Sequence, residues 1–281
     1  MKSAPHLSTI LDQYSGIFCD VWGVIRDGHA ILPEAILALQ NVRRQGKPVI
    51  LVSNSPRPAH DVARHLSLMG APGDAWDAIV TSGDATRSAL ADAAPGPFFK
   101  IGPSGGDDLL YDGLNLEFSE ADNAKAIACT GLVHHLGDEP DDYRELLTRF
   151  AARQLPLICA NPDIVVQVGD ELVWCAGALA RLYRELGGKS IIAGKPHKPI
   201  YELAHQSMRA VAGEVERGLI LAIGDGPETD LAGAERIGID ALFIGDGILG
   251  AGLSGSGLEA AQTELASYGV SARWFAPRLV W

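Results

Sequence analysis

The sequence predicts an α/β protein: a doubly wound parallel Rossmann-like core sheet carrying an inserted α/β domain. Three observations support this. Short apolar runs such as Val49–Val52 read as strands buried on both faces of a parallel sheet. Segments of helical periodicity alternate with them, so right-handed crossovers follow. From about Ala94 a Gly- and Pro-rich stretch breaks the alternation, which resumes near residue 189. The core is therefore assigned to residues 1–86 and 189–281, and the inserted α/β unit to residues 87–188.

The elements follow in order. Ile17–Cys19 reads as a buried strand with Asp20 at its carboxyl end. Pro33 opens a helix with Ile36, Leu37, Leu39 and Val42 at helical spacing, and Gly46 and Pro48 end it. Val49–Val52 runs into Ser53-Asn54-Ser55, and a helix from about Pro58 to Met69 closes on Gly70. Ile79–Thr81 is a third strand, and Asp84 caps the next helix. The segment APGPFFKIGPSGG reads as a boundary or hinge. Beyond it, Ala126–Thr130 and Leu157–Ala160 read as strands flanking a helix from about Asp141 to Arg153. Val165–Trp174 reads as a hairpin turning at Gly169-Asp170, and a helix covers roughly Gly177–Leu186. Lys195 then precedes a helix from about Pro199 to Val211. Leu219–Ile223 is a strand ending in Gly224-Asp225-Gly226, followed by a helix near Thr229 with Asp230 in its first turn. Ala241–Ile244 is another strand, and the glycine-rich segment 250–257 is loop.

Composition narrows the function classes. The chain has 281 residues, 47% of them hydrophobic and 21% charged, the profile of a globular protein with a substantial core. Its net charge of -12 argues against sequence-independent nucleic-acid binding, and an anionic ligand needs a local cation to enter that field. No apolar run approaches the ~20 residues of a membrane-spanning helix, and the N-terminal residues lack a signal-peptide core, so a cytoplasmic protein is expected. The four cysteines are widely spaced without a CxxC pair and read as buried thiols in a reducing compartment. The eight histidines form no metal-binding spacing, and the adjacent pair His134-His135 reads as a solvated loop. No GxGxxG follows the first strand, and an Asp stands where a pyrophosphate would approach, which disfavours a dinucleotide-dependent oxidoreductase. A pure interaction module is disfavoured too, because the sharpest polar clusters sit at strand ends and are not spread over a surface.

Those clusters are Asp20, Ser53-Asn54, and Asp225 with Asp230; a parallel sheet places all three strand ends on one edge, within reach of Lys195. Taken singly, each is ordinary turn or cap chemistry. Together, carboxylates, amide and hydroxyl donors and one Lys fit a divalent cation and an anionic substrate, with magnesium suited to the oxygen ligands.

These residues resemble the haloacid dehalogenase superfamily, whose members are mostly Asp-nucleophile phosphatases. Its four motifs stand in order: DVWGV at 20–24, SN at 53–54, the Lys of GKP at 194–196, and GDGPETD at 224–230. The insertion, with NPD at 161–163, resembles the cap of the class IIA, NagD-like and p-nitrophenyl phosphatase-like branch. The resemblance implies that Asp20 attacks phosphorus, with Ser53, Lys195 and Asp225 completing the catalytic set. It implies that Gly23, Ser53, Asn54 and Lys195 bind the phosphoryl group, and that Asn161 and Asp163 help to close or read the substrate. Asn-Pro-Asp is equally good turn chemistry. Asp20, the backbone carbonyl of Trp22, Asp225 and Asp230 would hold Mg2+. The substrate would be a small phosphorylated metabolite of the sugar phosphate or nucleotide class, and the cap a homodimer face.

One position departs from the family pattern. Its phosphatases usually carry an Asp two residues after the nucleophile, as the acid and base of the two steps; here that position is Trp22, whose indole is a donor only. Three readings stay open: a phosphatase with a substitute proton donor such as Asp27 or His29, a phosphotransferase or slow phosphatase, or a non-catalytic binder of phosphorylated ligands.

Overall fold

The computed structural model describes residues 1–105, 107–134, 136–168, 171–247 and 257–281. The expected hairpin turn at Gly169-Asp170, His135 of the histidine pair, and residues 250–256 of the glycine-rich segment lie outside them. The chain forms two units: Met1–Ser53, His60–Val80 and Lys195–Trp281 make the first, and Asn54–Ala59 with Thr81–Gly194 the second.

In the first unit, strands β1 (Lys2–Ser3), β2 (Gly16–Cys19), β3 (Val49–Ser53) and β4 (Ala78–Thr81) join three later ones. With β11 (Ile220–Gly224), β12 (Asp240–Ile244) and β13 (Trp274–Ala276) they form a 7-stranded sheet in the order β1-β13-β12-β11-β2-β3-β4. β2 lies between β11 and β3, parallel to both, with Cys19 opposite Ile223 and Leu51. Every residue of β2, β3 and β11 is buried, as expected of strands covered on both faces. Because these neighbours run the same way, Asp20, Ser53 and Asp225 emerge at one edge, the crevice where open α/β sheets bind ligands.

The helices follow the local signals with three differences. α1 (Pro33–Arg44) has Pro at its start and Arg43 and Arg44 in its last turn, complementing the helix dipole. It buries Ala35, Ile36, Ala38, Leu39 and Val42, whereas Leu37 is 49% exposed: one residue past Ile36 is a rotation of about 100°, off the core face. The helix Ser82–Asp92 is capped by Thr81, not Asp84. Thr81 Oγ1 accepts from the Asp84 amide at 2.9 Å, and Asp84 Oδ2 accepts from the Thr81 amide, a reciprocal capping box. The helix expected near Thr229 begins earlier, as a π-helical turn Pro227–Leu231 that continues into Ala232–Ile237. No helix among the described residues is long and apolar enough to cross a membrane.

The second unit has its own 4-stranded parallel sheet, ordered β10-β7-β6-β5, and a separate antiparallel pair. Its strands are β5 (Phe98–Ile101), β6 (Ala126–Cys129), β7 (Pro156–Cys159) and β10 (Lys189–Ile192), with β8 (Val165–Val168) paired to β9 (Glu171–Trp174) as the hairpin pattern predicts. Leu147, Phe150, Leu179 and Tyr183 centre its core.

Two strands of this unit differ from expectation, and the second of them lies beyond the expected border. The segment read as a hinge contains β5: Gly and Pro flank it without interrupting it, and the fully buried Phe98 anchors it beside β6. Lys189–Ile192, assigned from sequence to the core, pairs with β7. The unit therefore runs from Thr81 to Gly194 where residues 87–188 were expected, and it also takes Asn54–Ala59.

Candidate active site

The first unit brings together four of the residues selected from sequence. Asp20 follows β2, Asp225 follows β11, Asp230 lies within the π-helical turn, and Lys195 stands just before the helix Lys198–Ala212. All four are buried. Lys195 Nζ donates to Asp20 Oδ1 at 2.6 Å and to Asp230 Oδ1 at 2.8 Å. Asp230 Oδ2 meanwhile accepts from the Gly226 amide at 3.1 Å, so one oxygen serves the turn and the other the lysine.

The electrostatics follow from burial. Desolvation and the Asp230 charge push the Asp20 carboxyl well above the usual carboxylate range, against the pull of Lys195. Burial alone would lower the Lys195 pKa, but Asp20 and Asp230 more than offset it and hold the ammonium charged.

Asp20, Asp225 and Asp230 each present an oxygen within 4.8 Å of the others. Three buried carboxylates against one ammonium leave an excess of negative charge, which a divalent cation offsets. The donor set is all oxygen. Among the described residues no N–H donates to the Trp22 carbonyl, so that oxygen is free to join them. The residues fit a hard cation of the magnesium type.

Gly23 plays a different part from the one expected. Its amide donates to the Arg26 carbonyl at 2.8 Å and so is not available to a phosphoryl oxygen. Its φ of 79° lies in the left-handed region, and a Cβ there would strike the Asp225 carboxylate. Gly23 makes room for Asp225. Gly247, which the sequence reading passed over, does the same from the other side, and its place in a second Gly-Asp-Gly (245–247) was the available signal.

Ser53 ends β3 in the first unit and is buried. Asn54, Asn161 and Asp163 are joined within the second unit. Asn54 Nδ2 donates to Asp163 Oδ1 at 2.7 Å, and Asn161 Oδ1 accepts from the Asp163 amide at 3.1 Å. The Asn161–Asp163 contact is turn chemistry, while the Asn54–Asp163 bond ties the residue after Ser53 to that turn.

Of the two suggested proton donors, Asp27 is a turn residue. Its Oδ1 accepts from the amides of His29 and Ala30 at 2.7 and 2.8 Å, and those bonds, Ala30's first, hold its carboxyl below the usual range. His29 lies in the same exposed turn. The sequence reading also missed Arg26, buried to 8% exposure with its guanidinium carbon 4.2 Å from the centre of the Trp22 ring; no motif flags it. The four cysteines are free and buried, as expected, and burial raises each thiol's pKa.

Comparison with known proteins places the chain in a family. Residues 17–112 match the family described as haloacid dehalogenase-like hydrolase, and residues 192–266 match a second, HAD-hydrolase-like profile. A crystal structure of a haloacid dehalogenase-like hydrolase from Brucella suis 1330 is 43% identical, covers 99% of this chain and 100% of that one, and superposes with a TM-score of 0.89. Chronophin from Rattus norvegicus is 26% identical over 260 residues, 86% of this chain and 80% of that protein. The ribonucleotide monophosphatase NagD of Escherichia coli is 23% identical over 235 residues, 83% of this chain and 88% of that protein. The chain is a hydrolase that belongs to the haloacid dehalogenase-like family, in its class IIA, NagD-like branch.

Proposed function

We propose that the chain is a phosphatase of a small phosphorylated metabolite, of the sugar phosphate or nucleotide class, working through an aspartyl-phosphate on Asp20. The observation that carries this is the Lys195 ammonium held between Asp20 and Asp230, which aims a buried carboxylate beside a fixed positive charge. In the first step Asp20 bonds to phosphorus as the ester P–O bond breaks, and water then cleaves the acyl phosphate. Lys195 stabilises charge on the transferring phosphoryl oxygens, with Ser53 as a hydrogen-bond donor. Asp20, Asp225, Asp230 and the Trp22 carbonyl are the groups that would hold Mg2+. When bound, that cation supplies positive charge against the phosphoryl oxygens. The second unit, with Asn54, Asn161 and Asp163, acts as the specificity-bearing cap and dimer face. Relatives named ribonucleotide monophosphatase NagD and 5'-nucleotidase YutF support the substrate class. The free thiols support a cytoplasmic setting.

A second reading rests on Trp22 and Asp27. With an indole two residues after Asp20, and Asp27 tied into its own turn, neither supplies the proton for the leaving group or activates water. That favours a long-lived phosphoenzyme, as in a phosphotransferase or slow phosphatase. Pre-steady-state kinetics with p-nitrophenyl phosphate and Mg2+, wild type beside Asp20→Asn, separates the readings. Steady turnover lost in the variant supports the phosphatase. A burst followed by near silence supports the second reading. Neither burst nor turnover overturns both.

A further inference from the structure

We propose that Arg26 determines specificity at this site by binding a second anionic group, a carboxylate or a further phosphate, on the phosphorylated substrate. This rests on the phosphatase reading above. Arg26 is only 8% exposed, and an arginine so enclosed is almost always paired. Yet among the described residues no carboxylate forms an ion pair with it, and the one hydrogen bond its side chain makes is from Nε to the Asp27 carbonyl at 3.1 Å. The adjacent acid, Asp27, turns its carboxylate to the amides of His29 and Ala30 instead.

Among the described residues neither terminal nitrogen has a hydrogen-bond acceptor. A guanidinium with both terminal nitrogens uncommitted within the protein can bind an anion in bidentate fashion.

Trp22 lies against that guanidinium. The guanidinium carbon is 4.2 Å from the ring centre, a cation–π contact, and the backbones of Trp22 and Arg26 are bridged, with the Gly23 amide bonded to the Arg26 carbonyl. The same loop carries Asp20, and Trp22 follows it by two residues, a span of at most about 7 Å. The residue that replaces the usual acid thus serves as the platform for a cation, in a protein whose net charge of -12 otherwise repels a doubly anionic substrate.

Calorimetry with non-hydrolysable ligands tests this without turnover. ω-Phosphonocarboxylates of increasing spacer length are compared with alkylphosphonates of equal length, in the presence of Mg2+, on wild type, Arg26→Gln and Arg26→Lys. The wild type is expected to bind at least one phosphonocarboxylate roughly tenfold or more tightly than its alkyl counterpart. Arg26→Gln should abolish that ratio, and Arg26→Lys should restore part of it through charge without the fork. Equal binding of the two series by the wild type overturns the inference and needs no variant to fold. So does a ratio that survives in Arg26→Gln. Loss of p-nitrophenyl phosphate turnover in the wild type, with the binding ratio intact, would count against the phosphatase reading and not against Arg26.

Discussion

Lys195 and Asp20, 175 residues apart in sequence, are joined by a 2.6 Å ion pair with both side chains buried. The inserted unit separates them along the chain, so the pair forms only when the two halves of the first unit have come together. Its geometry keeps the Asp20 carboxylate directed and its charge compensated, while Asp230 shares the same ammonium. Neither carboxylate has that compensation without the lysine.

Lys195→Met is therefore expected to destabilise the protein and inactivate it. Removing one partner of a buried ion pair typically costs about 3–5 kcal/mol, because a buried charge is left behind. Urea unfolding at neutral pH should show a loss of that order, and activity on p-nitrophenyl phosphate should fall by roughly 10²-fold or more. Stability within about 1 kcal/mol of wild type would mean that the carboxylates are compensated by something other than Lys195.

Metal linkage gives a second prediction. A cation that binds the folded Asp20, Asp225 and Asp230 cluster, and not the unfolded chain, raises the melting temperature by an amount that grows with the logarithm of its concentration above Kd. Mg2+ should raise Tm, EDTA should reverse the shift, and Asp225→Asn should blunt it. Gly23→Ala should blunt it as well, although it removes no ligand. A methyl group there collides with the Asp225 carboxylate at a backbone φ that disfavours side chains. An undiminished Mg2+ shift in Gly23→Ala would separate Asp225 from the metal site.

How far this site could be read in advance depended on what sets each residue's position. Asp20, Ser53 and Asp225 follow parallel strands, and strand direction alone places such residues on one edge. The direction of β2, β3 and β11 was legible from their apolar runs. The parts that were not legible depend on close approach in space. That the Gly23 amide is consumed by the Arg26 carbonyl, and that Arg26 lies on Trp22, are consequences of a tight loop with no repeating pattern. The second unit shows the same division. The β8–β9 hairpin has the alternation and turn pair that announce it, whereas Lys189–Ile192 is four residues whose membership in the second sheet is decided by its partner β7.

The buried tyrosines predict a loss of stability at alkaline pH, and Tyr14 shows the sign most clearly. Its hydroxyl donates to Asp240 Oδ2 at 2.7 Å and accepts from Trp274 Nε1 at 2.6 Å, tying the segment before β2 to β12 and β13. Burial pushes its pKa up to about 12, with the Asp240 charge adding to the rise and the Trp274 donor opposing it. The unfolded phenol titrates near pH ~10. Between those values the folded state holds a proton that the unfolded state has released, so stability falls as pH rises from about 10 to about 12 and is unaffected by this group below that window. Tyr14→Phe removes the group and with it part of that slope. At pH 7 the same change leaves the Trp274 N–H without its acceptor, so the variant should be less stable there by about 1–3 kcal/mol. Urea unfolding of both proteins at pH 7, 9, 10 and 11 should give stability curves that converge as pH rises. Parallel curves would show that the Tyr14 proton is not linked to folding.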